Sequence, residues 1–330
     1  MAKRKVAIVI GYNGEGYSGL QTNPGVVTIE SVLFSALCKA GCVSQSNAED
    51  PRKVSWMRSS RTDKGVHAAI QVLSAKLEEG YSVEKINALL PEDIEVFGIF
   101  RTMNSFHAQK ECTSRVYEYI FPSFMLSDFL VEESELRGHR ATETQMKKLE
   151  ETLGRYVGTR NYHNFSPQKR AEEMNAKRHV IACSVDRVFV SGDTEWISVH
   201  VTGQSFILNQ IRNMLGMVFL LFGYQPSDFS PAFSKVFSAS KFHIPKAPAC
   251  GLLLLEPVFK GYNMRVKERE DIQHVSFDLY RAQIEGFKEK KIYPAILQTE
   301  NLRLFFSLRE TMRRYTDDYG YVCDKAGERD

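Results

Sequence analysis

Between two β-like runs of this 330-residue chain lies a densely charged segment, Ser59-Ser60-Arg61-Thr62-Asp63-Lys64-Gly65-Val66-His67-Ala68. Loops at strand ends carry chemistry often, so a carboxylate among cations there is a candidate site. The same residues are turn formers, and Asp63, Lys64 and Gly65 read also as a solvated turn. Two other patterns compete with it. Gly14, Gly16 and Gly19 match GxGxxG after a strand, but Pro24 and Gly25 follow where a helix should open and no acidic residue stands at ribose spacing. A glycine-rich turn close to a ligand or to another backbone explains that segment better than a dinucleotide site. Cys38 and Cys42 have helical spacing, yet no second pair at zinc spacing accompanies them, so they read as small helix-packing residues and no metal is expected.

These candidates must be positioned by regular elements, and the hydrophobic periodicity supplies them. A nearly continuous β-branched run spans residues 3–12. Ile29, Val32, Leu33, Ala36, Leu37 and Ala40 then recur at helical spacing, with Thr28 as N-cap and Gly41 as stop. Strands are predicted at 54–60, 68–77 and 94–103, with a helix at 82–90 halted by Pro91. The order is βαββαβ, and it repeats. A strand at 115–121 precedes a helix opened by Thr142 and Gln145, a capping-box pair. Strands at 178–190 and 195–201, a long helix at 205–222, a short inserted helix near 229–240 and a closing strand at 250–259 follow.

The expected fold class is therefore α+β, with two ferredoxin-like (βαββαβ) halves over residues 1–105 and 106–260. Edge-to-edge joining would give one extended antiparallel sheet with helices on one face and a central cleft. Residues 261–330 are charged and mainly helical in character, an extension rather than a domain.

RTDKGVHA (61–68) closely resembles the signature of the TruA family of tRNA pseudouridine synthases, in which the aspartate is catalytic. GYNGEGYSGLQ (11–21), ALLPED (88–93), SFHAQKECTSRVYEY (105–119), GQSFILNQIRNMLG (203–216) and APACGLLL (247–254) resemble that family's other blocks in order. YHNFSPQK (162–169), IPKAP (244–248) and KIYPAILQTE (291–300) resemble its eukaryotic multisite branch. Ser60, Leu20 and His67 depart from one or the other subfamily pattern.

The resemblance implies isomerisation of uridine to pseudouridine, which breaks N1–C1′, turns the base and rejoins it through C5 without redox change or cofactor. Asp63 would be the catalytic carboxylate, acting at the sugar or the base. Arg212, on the matching helix, would hold it ionised in a closed pocket. Tyr117 would stack on the extruded base and Leu252 would cover its other face. Arg61, two residues before Asp63, would contact a phosphate or fill the space left by the flipped base. His107, His163 and His243 receive no role. The alternative class is a non-catalytic RNA-binding protein of the same fold.

Composition fits this reading without naming it. Hydrophobic residues at 43% and charged residues at 25% are globular values, and a net charge of +3 makes any RNA surface local. Lys3-Arg4-Lys5, Lys169-Arg170, Lys177-Arg178 and Arg313-Arg314 are candidates for phosphate contact. Six scattered cysteines, Cys323 the last, suit reduced thiols. The N-terminal run is too short for a secretion signal, and no stretch spans a bilayer. The expected partner is tRNA, with other structured RNA as a further substrate, in a monomer or homodimer of the nucleus or cytoplasm, the nucleus preferred.

Overall fold

The first strand, β1 (Lys3–Tyr12), is buried at every residue from Lys5 onward, the mark of a strand covered on both faces. In the computed structural model, which describes residues 3–136, 138–314 and 316–322, β1 belongs to the first of two compact units. That unit comprises Met1–Tyr117 and Leu253–Ile296, and the second comprises Glu118–Leu252 and Leu297–Asp330. The segment 261–330 is thus divided between them. Cys323 lies outside the described residues.

After β1 come a helix at Ile29–Lys39, β2 (Met57–Arg58), β3 (His67–Glu78), a helix at Val83–Asn87, and β4 (Ile94–Arg101). Thr28 and Ser31 form a reciprocal capping box at the first helix, and Gly41 leaves it with φ +79°. In this unit β1 lies between antiparallel β4 and β3, and β2 adds to the far edge of β3. The expected strand at 54–60 shrinks to two residues. Pro51–Val54 is a 3-10 turn, and beyond Ser59 the backbone turns to the Gln71 side chain: Gln71 Nε2 donates to Ser60 O at 3.1 Å. The C-terminal segment packs here as well. The Phe287 ring meets Phe97 edge-on, and the Tyr280 phenol fills the space above Gly98, 2.2 Å from where a Cβ would stand.

The chain enters the second unit within β5 (Ser114–Pro122). A helix at Glu143–Gly154 with the Thr142–Gln145 capping box, β6 (Gly158–Asn161), β7 (Lys177–Ser191) and β8 (Thr194–Gly203) follow. Helices at Gln210–Tyr224 and Ser230–Val236 precede β9 (Leu252–Val258). In the second unit the strand order is β5-β8-β7-β6, antiparallel for β8-β7 and β7-β6. β9 returns to the first unit and runs parallel to β3, aligning Leu253 with His67. With antiparallel pairs dominating and helices packed on the strands, the architecture is α+β.

The core of the second unit is the helix Gln210–Tyr224, buried at nearly every position. Its start differs from the expected 205 because the Gln210 side chain accepts from Ile207 N–H at 3.0 Å and Asn209 turns left-handed at φ +63°. The final long helix, Thr299–Arg314, docks on this unit. Phe306 stacks on Phe124, and buried Arg309 donates to Ser127 O at 3.0 Å and Val131 O at 3.2 Å. No helix among the described residues is long and apolar enough to cross a membrane.

Candidate active site

Asp63 sits half-buried on a loop whose polar groups are held on both flanks. On the upstream side, Ser59 N–H donates to Val72 O at 2.8 Å and the Ser59 hydroxyl bonds the Gln71 carboxamide. Arg115, on β5, donates to Ser59 O at 2.7 Å, Ser60 Oγ at 3.0 Å and Cys112 O at 3.2 Å. One guanidinium thus ties the loop to the strand that carries Tyr117.

On the other flank the glycine-rich segment does the holding. Tyr12 OH and Thr62 Oγ1 are 2.7 Å apart in a buried pair, and Leu20 N–H donates to Thr62 O at 3.2 Å. Gly14 N–H donates to the buried His67 Nδ1 at 3.1 Å. A Cβ on Gly14 would stand 2.1 Å from Val66 O, and one on Gly19 2.9 Å from Thr62 O. Gly14 and Gly19 allow the close approach of two backbones rather than forming a dinucleotide site. Sequence reasoning missed Gln71, Arg115 and His67 as loop-holding residues; each is a polar residue within a strand, a signal that only contacts can interpret.

Tyr117 is 7% exposed. Burial pushes its phenol up to about 12, an effect opposed by a hydrogen bond with Ser60, and Asp63 lies near enough to add to the rise. Asp63, Tyr117 and Arg61 therefore fall together in the first unit, with Arg61 exposed. Arg212 and Leu252 fall in the second. Arg212 is half-buried, and its Nε donates to Ala247 O at 2.7 Å while Ala247 N–H donates back to Arg212 O at 3.1 Å. Leu252 is 6% exposed, its N–H bonded to Ala249 O. Gly216 lets the same 244–248 segment cross the helix, since a Cβ would stand 1.7 Å from Pro245 O.

The basic clusters are less open than their sequence suggests. Lys5 is buried and donates to Ser55 O at 3.0 Å, and burial followed by repulsion from Lys76 lowers it to about 8; it leaves the set of phosphate-contacting candidates. Lys169, Arg313 and Arg314 pair with Glu173, Glu132 and Glu310. Among the described residues one group, Glu118, Asp186 and His200, brings ligand-type atoms close enough for a cation. Its charge is already met in part: Arg187 lies 4.0 Å from Glu118 and 3.8 Å from Asp186, and Ser198 donates to Glu118 at 2.8 Å.

A half-buried carboxylate on a fixed loop, beside a buried neutral phenol, suits attack on or proton transfer from a ring held against that phenol. The comparisons with known proteins name the family. A family model described as tRNA pseudouridine synthase matches residues 153–260. The "tRNA pseudouridine synthase 1" of Yarrowia lipolytica is 35% identical over 90% of this chain and 72% of its own length. The "Pseudouridylate synthase 1 homolog" of Mus musculus is 36% identical over 91% of this chain and 71% of its own, and that of Homo sapiens 36% over 89% and 69%. The chain belongs to the TruA family of tRNA pseudouridine synthases.

Proposed function

We propose that the protein is an isomerase that converts uridines in tRNA to pseudouridine, with Asp63 as its catalytic carboxylate. The observation that carries this is the Asp63 loop itself: the string that resembles the family's aspartate block adjoins Ser60, which bonds the buried phenol of Tyr117 and is held in turn by Arg115. The base leaves C1′ through N1 and returns through C5; C5 gives up its hydrogen as a proton, N1 gains one, and no electron is exchanged. Tyr117 offers the stacking face and stays uncharged near neutral pH, which suits a platform under a nucleobase. Arg61 contacts RNA phosphate or fills the space left by the flipped base.

We propose also that both halves are ferredoxin-like. In the first unit the order β4-β1-β3-β2 supports this. For the second half, Thr113 N–H donating to Val258 O and Ile120 N–H to Gly251 O put the closing segment beside β5.

Release of tritium from tRNA labelled at uridine C5 tests the activity directly. The wild-type chain should release it, and Asp63→Asn should abolish release while tRNA affinity stays within about three-fold, because phosphate contacts dominate binding. Appreciable turnover by purified Asp63→Asn removes Asp63 from the role.

A further inference from the structure

The second unit contains a pocket of about 420 Å³ whose lining includes none of Arg61, Asp63, Tyr117, Arg212 and Leu252. One side is the start of the central helix, where Asn209 and Asn213 stand one turn apart on the same face. Among the described residues neither carboxamide is engaged as its position would suggest. Asn209 occupies the N-cap position but makes no capping bond, although capping is what asparagine usually does there. Asn213 is 6% exposed, and its buried Oδ1 has no partner. Across from them Ser166, 1% exposed, buries a hydroxyl that is likewise unpartnered.

Buried polar groups without partners are rare in native interiors, and each is destabilising. Two in the lining of one pocket, next to a non-capping asparagine held at φ +63°, mark a surface kept for a ligand. The rest of the lining states the ligand's chemistry. Lys241 and Lys246 bring ammonium groups, and Phe242 and Ile244 an apolar wall. The lining contains no carboxylate and no thiol, so a metal cation is disfavoured. A purely apolar guest would leave the amides unpaired.

A carboxamide offers a donor and an acceptor side by side, the pattern that reads the edge of a nucleobase, and ammonium groups suit its phosphate. Sequence-reading RNA sites engage unpaired bases in this way. We propose that the pocket takes one unpaired nucleotide of the RNA, its base edge on Asn209 and Asn213 and its phosphate on Lys241 and Lys246. The inference rests on RNA being the substrate. Lys241 Nζ already donates to His163 O at 3.2 Å and Ser166 O at 3.4 Å, which aims its remaining proton; Lys246 is exposed.

Asn209→Gly and Asn213→Ala separate recognition from structure. Glycine accepts the left-handed backbone and alanine is the best helix former, so the double variant should unfold at the same or a higher temperature. Its affinity for transcribed tRNA, read by fluorescence anisotropy, and its KM for tritium release should both weaken about ten-fold, with kcat within about two-fold. Lys246→Ala, at an exposed position, should lower the slope of log affinity against log salt by about one. Unchanged affinity and KM in both variants, or absence of tRNA binding by the wild-type chain, overturns the pocket. A wild-type chain that releases no tritium overturns the proposed activity instead, and anisotropy still decides the pocket.

Discussion

Around Asp63 the polar groups find partners within the chain: Thr62 has Tyr12, His67 has Gly14 N–H, and Ser59 and Ser60 share Gln71 and Arg115. Around Asn209 and Asn213 the lining residues Asn164 and Lys241 are bonded too, but Asn213 Oδ1 and the Ser166 hydroxyl are buried without partners, although the neighbouring 244–248 segment is held just as firmly, by Arg212 to Ala247 O and by the crossing at Gly216. The backbone is fixed in both regions, while the second keeps a few buried polar atoms, those of Asn213 and Ser166, open. Reacting groups need a fixed geometry before substrate arrives. Recognition groups need unpaired donors and acceptors at a fixed place. The contrast separates a place for chemistry from a place for reading.

The largest effect should come from the glycine that makes the tight side possible. A methyl at Gly14 meets the carbonyl carbon of Val66 at 2.7 Å as well as its oxygen. Backbone cannot step aside as a flexible side chain can, so Gly14→Ala should destabilise by about 3 kcal/mol and remove nearly all activity. Gly16, three residues before Gly19 in the same motif, is at φ +80° with nothing within 4 Å, so Gly16→Ala should cost only about 1 kcal/mol of backbone strain. Urea titrations of the two variants check this. Equal stabilities would mean that the close approach does not hold the loop.

Arg115 gives the next effect. Arg115→Met removes the donors to Ser59 O, Ser60 Oγ and Cys112 O, and buried carbonyls that lose a charged donor destabilise by about 2 kcal/mol. Loosening both the Asp63 loop and its tie to the strand of Tyr117 should lower kcat more than it raises KM. Arg115→Lys should restore little, because one ammonium cannot reproduce the planar fork. Full rescue by lysine would show that charge, rather than the fork, orders the loop.

Much of this fold can be read directly from local signals. β1 follows from a run of Val and Ile, and the two capping boxes from Thr28 and Thr142, because each depends on residues close in sequence. The 54–60 region is misread for the opposite reason. It opens with a 3-10 turn, and at Ser60 the pairing partner is the side chain of Gln71, eleven residues on; a side chain replacing a strand ladder leaves no periodicity. The division of residues 261–330 between two units is hidden in the same way, since Phe287 and Phe306 have the same apolar character and only their contacts with Phe97 and Phe124 tell them apart. Among the site residues, the string around Asp63 is recognisable as a whole. Arg115 and the unengaged Asn209 and Asn213 are visible only once neighbours are known.

The smallest effect concerns Tyr117 and sharpens how closed the tight side is. Burial raises its phenol to about 12 in the folded chain, whereas an unfolded tyrosine titrates near about 10. Between those values the folded chain keeps a proton that the unfolded chain has lost, so its contribution is whole below about pH 10 and fades as pH climbs toward about 12. Tyr117→Phe removes that dependence without removing the ring. Stability measured by urea at several pH values across this window should fall less steeply for the variant, by at most one proton's worth. Buried Tyr119 and Tyr156, both raised by burial as well, keep the remaining slope. Since phenylalanine retains the stacking face, pseudouridine formation should stay within a few-fold of wild type at neutral pH. Identical alkaline slopes would mean that water reaches the Tyr117 hydroxyl, and with it the loop that carries Asp63.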